Sequence, residues 1–95
     1  MKKINFNQSI VNLEGMAMRQ GDKDLLVKDI VANTMCIAKA KSGEVVRQLN
    51  LAMEIYKAKE TMDIEDADAK LIKEVVSAAD LSTLVLGQIL KILGE

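Results

Sequence analysis

The sequence predicts an α+β fold that is mainly α, with an N-terminal β-hairpin of two or three short strands packed on about four helices in a single domain spanning 1–95. Two patterns and the chain length carry this expectation. Apolar residues recur at steps of three and four from Asp29 to the C-terminal end, which is the period of an amphipathic helix. Before that, Lys3 to Phe6 alternates polar and apolar side chains, the period of a strand. Ninety-five residues suit one domain, large enough to bury roughly 60–70% of the unfolded chain's surface without staples.

In order along the chain, the alternation at the N-terminus places Ile4 and Phe6 on one side of an edge strand. Ile10 to Arg19 then reads as a hairpin closed by a two-residue Glu14-Gly15 turn. That register sets Leu13 against Met16 and Val11 against Met18, all on one face. Gly21-Asp22-Lys23-Asp24 forms a second polar turn, and Leu25-Leu26-Val27 fits either a short strand or the start of a helix. From Asp29 the period is helical, with Ile30, Val31, Thr34, Ile37 and Ala38 on one side and an end near Ser42-Gly43.

The clearest helical stretch is Glu44 to Glu60. At 100° per residue, Val45, Val46, Leu49, Ala52, Met53 and Tyr56 share one arc, which the pattern predicts as a core face. Leu51 and Ile55 lie one turn apart outside that arc, which predicts a second contact. Thr61-Met62-Asp63 breaks the chain before a third helix from Ile64 to Ala79, with Ile64, Ala67, Leu71, Val75 and Ala78 on its apolar side. Asp80 is placed to cap a last helix whose apolar arc, from Leu81 to Leu93, covers about half the circumference. Such a helix either fills the middle of the fold or lies against another copy. The interface expected for a homo-oligomer comprises Leu51, Ile55, Leu86, Ile89, Leu90 and Leu93.

Composition narrows the function classes. Thirteen basic and fourteen acidic residues leave a net charge of -1, and Lys is interleaved with Asp and Glu, which disfavours nucleic-acid binding through bulk charge. Aromatics make up only 2% of the chain, so the core is aliphatic, with six Met to fill gaps. The single Cys36 excludes an intramolecular disulfide and points to a reducing cytoplasm; its place in an apolar helical pattern predicts a small buried hydrophobe. The polar residues from Asn5 to Ser9 interrupt the N-terminal stretch before signal-peptide length, and the apolar C-terminal segment is shorter than the ~20 residues a membrane span needs, so no membrane association is expected.

Residues with chemical potential are few. With no His, the commonest general base and metal ligand is missing, and the glycines are isolated, so no enzyme, cofactor or metal is expected. The acidic group Asp63, Glu65, Asp66 and Asp68 fails a calcium-loop template, because Ala67 and Ala69 stand at ligand positions and Asp68 where the turn glycine belongs. Complementing the positive end of a helix accounts for these carboxylates. Lys39, Lys41, Lys57 and Lys59 lie near helix C-termini, where they complement the opposite pole. The candidate ligand site is Arg47, Lys57 and Lys59 around an anionic small molecule, with Tyr56 as a stacking surface.

The segments LLVKDIVANTM, LNLAMEIYKAKE and AKLIKEVVSAADLSTLVLGQILKIL resemble a group of small phage and prophage proteins of uncharacterised role. The likeness runs from Ile4 through Leu93 and includes Gly15, Lys28-Asp29, Ala52 with Ile55, Leu71-Ile72-Lys73 and Gly87-Gln88, while Leu81-Ser82-Thr83 departs from the pattern. The resemblance implies a phage gene product acting inside the bacterial host and carries no catalytic residue. Three readings follow. The first is a non-enzymatic, oligomeric binding protein that sequesters a ligand or inhibits a host defence protein in the cytoplasm. The second is a virion or tail-assembly accessory protein. The third, a DNA-metabolism accessory protein, is disfavoured by the even charge and the scarcity of Arg and aromatics.

Overall fold

In the computed structural model, which describes residues 2–94, the chain is α+β and mainly α. Strand β1 (Lys2–Ile4) pairs antiparallel with β4 (Met62–Ile64), setting Ile4 opposite Met62 and Lys3 opposite Asp63. Ile4 and Phe6 turn inward as their alternation predicts. Their partner strand corrects the expected third helix, which begins only at Asp66. Met62 and Ile64 turn toward the core while Asp63 faces out, a period of two that places Ile64 in a strand.

The N-terminal hairpin proper is β2 (Arg19–Gln20) and β3 (Lys23–Asp24), joined at Gly21-Asp22. Gly21 has φ +68° and Asp22 lies outside the positive-φ region, the pattern of a type II′ turn, whose twist suits a two-residue hairpin. Upstream, Val11 bridges Ala17, so the loop is Leu13-Glu14-Gly15 and the expected Leu13 to Met16 register is off by one. The local chemistry explains the shift. Asn12 Oδ1 accepts from the backbone N–H of Glu14 and of Met16, and Gly15 takes φ +86° at the third loop position. Slipping by one residue divides the expected face: Leu13 is 94% exposed, while Met18 joins the buried Ile10 against the core.

A closed ring of backbone hydrogen bonds ties this region together. Ile10 N–H donates to Leu25 O (2.8 Å), Leu25 N–H to Met18 O (2.8 Å), and Met18 N–H to Ile10 O (2.7 Å). Leu26 bridges Ser9 and is extended, and helix α1 (Val27–Ile37) starts at the next residue, which resolves the open reading of Leu25-Leu26-Val27. No side chain caps α1. Instead the carbonyls of Gln8 and Phe6 accept from Val27 and Lys28 N–H, satisfying donors that a helix start leaves orphaned.

Helix α1 buries Val27, Val31, Ala32 and Met35, whereas Ile37, expected inside, is exposed, and the helix ends well before Ser42-Gly43. Helix α2 (Val45–Lys57) packs antiparallel-fashion back on α1, with Gln48 near the α1 C-terminus. Helix α3 (Asp66–Ala78) buries Ala69, Leu71, Ile72 and Val76. Helix α4 (Thr83–Ile92) is capped by Ser82, whose Oγ accepts from Val85 N–H (3.3 Å), and not by Asp80. The hairpin is fastened to α4 by Gln88. Its Oε1 accepts from Val11 N–H and its Nε2 donates to Val11 O, both at 2.8 Å, as a neighbouring strand would.

The wide apolar arc of α4 is used within the chain. Ile89 and Leu93 are buried, and Leu86 and Leu90 pack half-buried against the same core. Leu51 and Ile55 are also core residues. The expected oligomer interface is therefore corrected: four of its six residues are closed off by the chain's own fold, and Leu86 and Leu90 are partly covered by it.

Candidate functional site

The two faces of α2 are the reverse of the sequence expectation. Gln48, Leu51, Ala52 and Ile55 turn inward, while Val45, Val46, Leu49, Met53 and Tyr56 stand between 45% and 69% exposed. Only Ala52 of the predicted core arc is buried. Two local facts place the inner face. Gln48 Nε2 donates to Met35 O (2.8 Å) and Ala38 O (3.2 Å), satisfying carbonyls that the end of α1 leaves free. Ala52 and Ala32, both buried, are small enough to let α2 and α1 approach closely.

The outer residues Val46, Leu49, Met53 and Tyr56 follow a three-four-three spacing, which keeps them on one stripe roughly 15 Å long. Beside the stripe runs a cleft of about 920 Å³, lined by Ala32 and Cys36 from α1 and by Ala52, Met53 and Tyr56 from α2. Arg19, Asp29 and Lys57 give its lining mixed charge. Cys36 is exposed, not the buried hydrophobe expected, because it lies on the side of α1 away from Val27, Val31 and Met35.

The predicted anion site is only partly assembled. Tyr56 and Lys57 share the cleft with Arg19, a residue the sequence reading did not single out. Arg47 lies nine residues from Tyr56 along α2, about 14 Å away, and is already engaged. Its Nη2 and Nε donate to Asp68 Oδ1 at 2.8 and 3.2 Å, and its Nη1 to Glu44 Oε1 at 3.1 Å. Hydrogen bonding to Asp68, with the charges of Asp68 and Glu44, holds the Arg47 guanidinium above its ordinary pKa despite some desolvation. A guanidinium matched by two carboxylates is a poor anchor for a further anion. Lys59 lies beyond α2 and outside the cleft lining, where its carbonyl accepts from Asn7 Nδ2 (3.1 Å).

Within the described residues, Gln48 is the only buried polar or charged residue, and no buried side-chain polar atom lacks a partner. No group of three or more His, Cys, Asp or Glu residues among them is placed to hold a metal ion, and no helix is long and apolar enough to cross a membrane. The outer face of α2 presents apolar surface, a feature whose chemistry is contact. Comparison of the chain with protein-family models, curated proteins and solved structures finds no match, so the expected phage kinship rests on the sequence segments quoted above.

Proposed function

We propose that this chain is a non-enzymatic binding protein whose association surface is the outer face of α2. The observation that carries the reading is the stripe Val46, Leu49, Met53 and Tyr56, widened by Val45, on a helix whose opposite face already completes the core. A surface of this kind exposed on a small domain marks a protein-contact site. The sequestered-anion version is weakened, since Arg47 is neutralised within the chain and Lys59 lies apart.

The resemblance is the support for reading it as a phage product that acts in the host cytoplasm, and an assembly role would use the same surface. Photo-crosslinking in cells tests the reading. A benzophenone side chain at Leu49 or Met53 should give a discrete adduct, and one at Lys73, on α3, should not. Equal labelling from all three sites, or none from the α2 sites, would contradict the assignment.

A further inference from the structure

We infer that the occupant of the α2 stripe is a second copy of this chain, with the two α2 helices packed antiparallel about a twofold axis. This rests on the reading of the outer face as an association surface and names its partner. The argument begins with register. An antiparallel pairing centred on the stripe sets Val46 opposite Tyr56 of the second copy and Leu49 opposite Met53, and the twofold repeats both pairs in reverse. Small then meets large at the ends, and two side chains of similar volume meet in the middle, so every layer is filled. A parallel pairing sets Val46 against Val46 and Tyr56 against Tyr56, leaving one end underfilled and the other crowded.

Charge favours the same arrangement. The C-terminal end of α2 carries Lys57, followed by Lys59, and a parallel pair would place these ammonium groups side by side. Antiparallel packing separates them by the length of the helix and opposes the two macrodipoles. Area is sufficient as well. The five outer side chains at their observed exposures present roughly 500 Å² per copy, so covering them completely in a dimer buries at most about 1,000 Å², the scale at which specific interfaces begin. The core positions Leu51 and Ile55 remain inside each copy, so dimerisation needs no opening of the fold.

The test is absolute mass by light scattering across a concentration series, with circular dichroism on the same samples. The wild-type chain is expected at twice its 10.4 kDa mass at high concentration. Val46→Glu should halve that mass with the helical signal intact, because Val46 is exposed in the single copy. Adding Tyr56→Lys to that variant should restore the dimer, since each new carboxylate then faces a new ammonium across the antiparallel pair. A wild-type monomer at every concentration overturns the inference and leaves the association surface to a different partner. A Val46→Glu chain that remains dimeric, or a double variant that stays monomeric, overturns the proposed register. Loss of helical signal in Val46→Glu overturns both this inference and the association reading, since the stripe would then belong to the chain's own core.

Discussion

The two sides of α2 have fates opposite to what their apolar content suggests. The inner side holds a glutamine and an alanine beside Leu51 and Ile55, yet it is the buried one; the outer side holds five large apolar residues and faces solvent. Hydrophobicity alone would choose the other way. What decides is fit to α1: Gln48 supplies donors to the end of that helix, and Ala52 permits close approach. The lesson is that the more apolar face of a helix is not necessarily its core face, and that the difference marks a surface held in reserve.

The largest effect that would sharpen this contrast is truncation on the inner side. Ile55→Ala should lower unfolding free energy by about 2–5 kcal/mol in a urea titration, because Ile55 is fully buried. Met53→Ala, at dilution where the chain is monomeric, should fall within roughly 0.5 kcal/mol of wild type. Comparable losses at the two sites would break the comparison. Next in size is Gln48→Leu, which fills the same space without donors. Leaving the Met35 and Ala38 carbonyls unsatisfied should cost about 1–3 kcal/mol by the same titration.

A smaller effect is expected away from both faces. Gly15→Ala forces a side chain into φ +86° and should cost about 1 kcal/mol, although the loop itself is exposed and a methyl group meets no neighbour. The smallest change belongs to Asp68→Asn, which removes a partner of Arg47. Arg47 has a raised pKa, so its contribution is fully present around neutrality and is lost only as pH rises through that raised value. The urea midpoint should therefore shift little, and by the same amount at pH values on either side of neutrality, because solvent screens the pair.

Much of the fold was legible. The inward turn of Ile4 and Phe6, the existence of four helices and the polar turn at Gly21-Asp22 follow from local periodicity and turn chemistry. The faces of the helices were less so. Apolar residues cover more than half the circumference of α2, so a period of 3.6 cannot say which part meets α1. Strand β4 escaped notice because it is short and its partner β1 is distant in sequence. The hairpin register turned on Asn12, whose side chain shapes the loop, a signal present in the sequence but outweighed by the apparent pairing of Leu13 with Met16.

The candidate site was legible in its residue types more than in its assembly. Tyr56 and Lys57 do share a cleft, but Arg19 joins them from the hairpin, and Arg47 is claimed by Asp68 on α3, a contact no local pattern encodes. The surplus of apolar surface was also visible, on the wrong faces. It was expected on the last helix and at Leu51 and Ile55 of α2, which the core absorbs, and is found on the opposite side of α2.

The most direct test of the central claim is the rate of maleimide labelling at two positions within one turn of α2 but on its opposite faces, Leu49→Cys and Leu51→Cys, each in a Cys36→Ser background. The account expects the thiol at position 49 to react near the rate of a free thiol in dilute solution and to slow as concentration rises, while the thiol at position 51 stays protected throughout. Protection at position 49 in the most dilute samples, or equal rates at the two sites, would contradict the assignment of the α2 faces.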